Sequence, residues 1–143
     1  GMVGGQGLDM EAETKQLTEK ELKTLHEGKT GALFIAAIRG GARLAGATEK
    51  QLLALTQFAQ FLGLAFQITD DILDVTGTEA ELGKPVGSDE KNHKTTYVTL
   101  FTLEGAQKKA DEALAGALTC LAEFGEAAEP LREITRLMAH RKN

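Results

Sequence analysis

Between Glu49 and about Val75 the sequence holds one unbroken helical pattern, and this segment constrains everything the rest of the chain can build. Leu52, Leu55, Ala59, Leu62, Phe66 and Leu73 recur at helical spacing. Few charges interrupt the segment between Gln51 and Thr69, so the helix is expected to run deep through the fold. Thr48 with Gln51 makes a capping box at its start, and Gly77 is the expected C-cap. The most apolar run, Phe58 to Ile68, is broken by Gln60 and Gln67. It falls short of the about 20 apolar residues that a bilayer span needs, so it reads as the buried part of a core helix.

The flanking sequence is also helical in character. Only two prolines occur, Pro85 and Pro130, and aromatic residues make up only 5% of the chain. Thr18 and Glu21 form a second capping box, predicting a short helix over 19–27 with Leu22 and Leu25 on one face. Gly28 allows a break. Lys29 to Gly46 then reads as a further helix, with Leu33, Ala37 and Leu44 as its buried face and Arg39 and Arg43 on another. Gly40 and Gly41 either weaken that helix or let a neighbour approach closely. Residues 76–94 form one long polar loop, which in a compact helical domain is usually functional or mobile. Helices are predicted from about Thr96 to Leu103, Gly105 to Phe124 and Pro130 to His140, with Pro130 suited to a first turn. No repeat or strand pattern is visible. The expectation is a single all-α domain over residues 1–143, a bundle of mostly antiparallel helices.

Charge and cysteine usage narrow the partners. A net charge of −5 argues against nucleic-acid binding, which needs a concentrated positive field. Cys120 is the only cysteine, so no intrachain disulfide can form and a cytoplasmic location is the default. No signal peptide is visible.

The chemistry concentrates at the end of the long helix, in Phe66-Gln67-Ile68-Thr69-Asp70-Asp71-Ile72-Leu73-Asp74. Positions 67, 70, 71 and 74 form one stripe on a helix. Carboxylates so close repel one another and lose hydration beside a core helix, so something positive must compensate. A hard divalent cation such as Mg²⁺, which prefers carboxylate, water and phosphate oxygens, is the natural candidate. A solvated acidic helix end accounts for the same spacing. Lys84 and Lys94, in and beside the polar loop, are placed to reach phosphate oxygens as point charges, or to stay solvated. Lys29 and Thr30 precede the second helix. If Thr30 caps it, the free N–H groups and dipole there attract anions. Gln6 and Asp9 are three apart and share one helical face, which an exposed helix start explains equally well. His26, His93 and His140 show no metal-ligand spacing, and Cys120 lies on an apolar helix.

Taken in order, GMVGGQGLD, HEGKTGAL, FQITDDILD, LGKPVGSD and KTTYV resemble the trans-prenyl diphosphate synthases, of farnesyl or geranylgeranyl type. The resemblance runs from Gly1 to about Gly105, and the helical tail fits it. It implies an isoprenoid-synthase helical bundle around a deep cavity, and prenyl transfer from an allylic diphosphate to isopentenyl diphosphate with Mg²⁺. Asp70, Asp71 and Asp74 then correspond to the second aspartate-rich, metal-binding motif. Lys29 and Thr30 correspond to the pair contacting diphosphate and the reacting carbon. Lys84 and Lys94 correspond to loop lysines, Gln67 and Phe66 to the lining of the reaction centre, and Gln6 and Asp9 to a face toward the cavity. Val98 departs from the pattern, since many relatives carry proline there. The first aspartate-rich motif, which lies upstream of the region matching Gly1, has no counterpart in this sequence. The resemblance therefore implies the C-terminal half of such an enzyme, inactive alone, whose full-length form is a homodimer. A non-catalytic subunit of such a synthase and a helical interaction module are the competing readings.

Overall fold

The computed structural model describes residues 1–12, 16–77 and 94–140, without the side chains of residues 8, 9, 11 and 12. Every regular element among the described residues is helical. In chain order they are α1 (Met2–Ala12), α2 (Glu19–His26), a π turn (Glu27–Gly31), α3 (Ala32–Leu44), α4 (Glu49–Thr76), α5 (Tyr97–Cys120), a 3₁₀ segment (Ala122–Ala128) and α6 (Glu129–His140).

The helix starts obey local chemistry. Both expected capping boxes form, at Thr18/Glu21 and Thr48/Gln51. A third, Thr96/Thr99, opens α5. Gly77 ends α4 in extended rather than left-handed backbone, at φ −75° and ψ 172°, so glycine is not required there for its conformation. The two helices expected after residue 96 meet inside α5 at Thr102, whose φ of 66° and ψ of 168° break the helical path. That region is strained for a β-branched residue. Thr102 Oγ1 accepts from the Gly105 N–H at 3.4 Å and so restarts the helix. The helix expected to reach Phe124 stops at Cys120 and continues as 3₁₀.

α4 is the axis of the fold. Phe58, Ala59, Leu62, Ala65, Ile68 and Ile72 on it are almost wholly buried. One apolar cluster joins α4 to α5 and α6 through Phe58, Leu62, Leu114, Leu121 and Met138. A second joins α2, α4 and α5 through Leu22, Ile68, Ile72 and Tyr97. By length and composition α4 is the one helix among the described residues that could cross a membrane, but 56% of its apolar window is buried inside the fold, as in a core helix. Contact with α2, α3, α5 and α6 on several sides accounts for its wide apolar surface, though Leu53 and Val75 remain exposed.

Two expectations for the segment after His26 are overturned, and the close-approach alternative for Gly40 and Gly41 falls away. Gly28 does not break the chain: α2 runs into α3 through the π turn without interruption. Leu33 is 54% exposed and Leu44 93% exposed, while Phe34 and Ile38 pack on the core and Ala42 is buried. The run Leu33-Phe34-Ile35-Ala36-Ala37-Ile38 is apolar on every side, so its periodicity cannot set the phase; the position of α4 does. Gly40 and Gly41 meet nothing within 4 Å, whereas a Cβ on Gly63 would lie 3.2 Å from the Gly31 Cα. A Cβ on Gly5 would lie 2.6 Å from the Lys29 Cα and closer still to the Lys29 N. The close helix approaches are therefore at the π turn, which α1 and α4 hold from two sides.

Candidate active site

The π turn places Lys29 beside the end of α4. An extra residue in a helical turn rotates the next turn of the helix and leaves wide backbone geometry, and such turns recur at functional sites. Here it turns Lys29 toward a cleft that Gln67, Asp70 and Asp71 line from α4 and Lys94, Thr95 and Thr96 line from the approach to α5. Leu17, Leu22, Leu25 and His26 complete the wall. The cleft has about 540 Å³ of empty volume, part of it open to solvent.

Five of the sequence-predicted residues therefore meet: Lys29, Gln67, Asp70, Asp71 and Lys94. They come from three separate segments, with the cationic side chains on the π turn and beside α5 and the carboxylates on α4. Other predicted residues are placed differently. Asp74 is only 1% exposed and is not part of this wall. Thr30 lies half-buried inside the π turn. It caps nothing, because the helix there has no free start, so the expected anion site at that helix N-terminus is not formed. Phe66 turns to Phe34, with ring centroids 5.7 Å apart, away from the cleft lining. Gln6 is exposed on α1. The Asp9 side chain and the whole of Lys84 lie outside the described residues.

Sequence reasoning passed over His26. It is 8% exposed, stacks on Tyr97 at 5.9 Å, and brings Nε2 to 3.9 Å from Asp71 Oδ2. Its position three residues before Lys29, on the face that also carries Leu22, was the available signal. Tyr97, only 1% exposed between His26 and Phe101, has its phenol pushed up to about 12 by burial first, then by Glu19, Asp71 and Glu27. Its backbone N–H donates to Asp71 Oδ2 at 2.7 Å.

The donor chemistry suits a magnesium ion. Among the described residues no three His, Cys, Asp or Glu side chains form a closed metal cage. Mg²⁺ does not need one: it uses one or two carboxylates and fills its remaining positions with water and substrate phosphate. Asp70, half-exposed on the cleft wall with Asp71 beside it, can supply that kind of site. Lysines facing it can hold the phosphate oxygens that such an ion shares.

An all-α bundle with paired lysines and an aspartate run at one cleft defines the isoprenoid-synthase class, and solved structures agree. An FPP/GFPP synthase from Zymomonas mobilis superposes with a TM-score of 0.82 at 34% identity, covering 96% of this chain and 45% of that one. A geranyltransferase from Helicobacter pylori, complexed with magnesium and isoprenyl diphosphate, superposes with a TM-score of 0.81 at 33% identity, covering 98% and 46%. The polyprenyl synthetase family model matches residues 1–134, and the chain belongs to that family. It is 44% identical over 141 residues to the farnesyl diphosphate synthase of Bacillus subtilis, covering 99% of this chain and 48% of the relative. To the farnesyl diphosphate synthase of Geobacillus stearothermophilus it is 51% identical over 109 residues, 76% of this chain and 37% of the relative. The chain thus spans less than half the length of these relatives.

Proposed function

We propose that this chain supplies one wall of the active site of a trans-prenyltransferase of farnesyl or geranylgeranyl diphosphate synthase type. The enzyme joins an allylic diphosphate to isopentenyl diphosphate. The observation that carries the reading is the convergence of Lys29 and Lys94 with Asp70, Asp71 and Gln67 on one cleft. Two cations facing a carboxylate pair complement a diphosphate that travels with a divalent ion.

In this mechanism the ammonium groups of Lys29 and Lys94 hold the diphosphate oxygens and stabilise the negative charge that grows as the carbon–oxygen bond breaks. We assign Lys84 the same role. Asp70 would hold Mg²⁺ from the cleft wall, with Asp71 and Asp74 behind it on the same helix, and the ion would supply Lewis-acid stabilisation of the leaving group. Gln67 orients the reacting carbon from the cleft wall. The allylic cation is attacked by the double bond of isopentenyl diphosphate, and the proton leaves to the released diphosphate. Asp70 serves the metal and is not the general base. The working enzyme is a cytoplasmic homodimer whose site needs a second aspartate-rich wall, and this chain alone turns over negligibly.

The test is thermal unfolding of this chain with inorganic diphosphate, with Mg²⁺, and with both. A rise in Tm that is larger with both components than with either alone, and that Lys29→Ala or Asp70→Asn reduces, is the expected result. A saturating mixture that leaves Tm unchanged, or a rise insensitive to both substitutions, would overturn the reading.

A further inference from the structure

The acidic run at the end of α4 reads as three equivalent ligands, yet adjacent residues on a helix point about 100° apart. Asp70 is half-exposed on the cleft, whereas Asp71 is 7% exposed and its Oδ2 accepts the Tyr97 N–H at 2.7 Å across 26 residues of sequence. Tyr97 is the first residue of α5, and its N–H is one of the donors that a helix start leaves without an intrahelical partner. Thr96 Oγ1 takes the Thr99 N–H, so Asp71 satisfies a second donor of the same helix end, and its charge is favourable there. Between Lys94 and the helix start, Thr95 Oγ1 accepts the Leu17 N–H at 3.0 Å. Lys94 is thus the residue immediately before a segment tied to α4 at Tyr97 and to the start of α2 at Thr95.

We infer that Asp71 is a positioning residue for the reaction proposed above: its carboxylate caps α5 and so fixes where Lys94 enters the cleft, leaving Asp70 to face the ligand. This rests on the prenyltransferase reading only for what Lys94 does; the cap itself does not depend on any ligand. Loss of the cap loosens the first turn of α5 and lets Lys94 leave the diphosphate position.

The experiment is amide hydrogen exchange on this chain, followed at Tyr97, in the parent and in Asp71→Ala, Asp71→Asn and Asp70→Asn. A buried hydrogen bond to a carboxylate is strong enough that Asp71→Ala should speed exchange at Tyr97 by about tenfold or more. Asp71→Asn keeps an acceptor oxygen and should retain most of the protection, and Asp70→Asn should leave Tyr97 unchanged. The second readout is binding of inorganic diphosphate with all metal chelated. Removing a negative charge beside an anion should tighten this binding, so a mere metal ligand predicts tighter binding in Asp71→Ala; displacement of Lys94 predicts weaker binding, restored in Asp71→Asn. An unprotected Tyr97 amide in the parent, protection unaffected by Asp71→Ala, or protection lost in Asp71→Asn would each overturn the inference. If Asp71→Ala does not fold, the Asp71→Asn exchange decides. If no variant binds diphosphate, the functional reading fails while the exchange data still judge the cap.

Discussion

Tyr97 is the only tyrosine in a chain without tryptophan, so its ionisation can be followed without interference. The phenol is raised from 10.0 to about 12, chiefly because its ring is buried between His26 and Phe101. The perturbation is a pH titration from 8 to 13, read by the absorbance change of phenolate. In the folded chain the transition should centre near 12; in strong denaturant it should fall near 10.0, the unperturbed value. The same shift predicts a change in stability. Above the unfolded pKa the unfolded chain has lost a proton that the folded chain retains, so stability is fully present below 10.0 and declines as pH rises toward about 12. Integrated over that interval at 1.36 kcal/mol per unit, the loss is about 2 kcal/mol. Tyr97→Phe should remove this part of the alkaline decline, measured as the urea midpoint at several pH values. A parent chain that ionises near 10.0 while its helical circular dichroism stays native would refute the burial argument.

Two further outcomes come from the packing. Gly5→Ala drives a Cβ into the backbone of Gly28 and Lys29, which cannot yield as a side chain would, so α1 must shift and about 1–3 kcal/mol of stability should be lost. Gly7→Ala, two residues on in the same helix with nothing within 4 Å, should instead stabilise by about 0.5–1 kcal/mol. Equal effects of the two on the urea midpoint would contradict the close approach. At the other end of the chain, Arg132 donates to the carbonyls of Leu121 at 2.9 Å and Gly125 at 2.7 Å. Arg132→Ala should therefore cost about 1–2 kcal/mol, and Arg132→Lys should recover little, because one ammonium cannot replace the guanidinium fork. Arg136 and Arg132 also hold the Glu129 carboxyl below the usual carboxylate range, so what Glu129 contributes is present above its unfolded pKa and is lost as acid carries the pH through the lowered one. A Glu129→Gln chain should show a flatter acid limb in thermal unfolding.

Much of the fold was legible in local sequence. The two capping boxes are short-range hydrogen-bond patterns that need only four residues, so Thr18/Glu21 and Thr48/Gln51 marked their helix starts correctly. α4 was readable because its apolar residues keep helical spacing over 28 residues. Half of the site was legible for a similar reason: Gln67, Asp70 and Asp71 belong to one helical stripe, and Lys29 and Lys94 stand out as cations in short ordered motifs. The π turn was not legible, since Glu27 to Gly31 carries no signature that separates one extra residue in a turn from a break at Gly28. His26 was missed because its relation to Asp71 and Tyr97 exists only between helices.

What the sequence determined by itself was the family, the helical class, and the residue types the cleft draws on, because these reside in spacing along one chain. What the tertiary structure alone decided was the work each residue can do. Packing turned Leu33 and Leu44 outward and Phe34 inward, since a run apolar on every side takes its phase from its neighbour. It also separated Asp70 from Asp71, because the start of α5 lies against one of two adjacent carboxylates and not the other, and a hydrogen bond spanning 26 residues leaves no mark in the order of the letters.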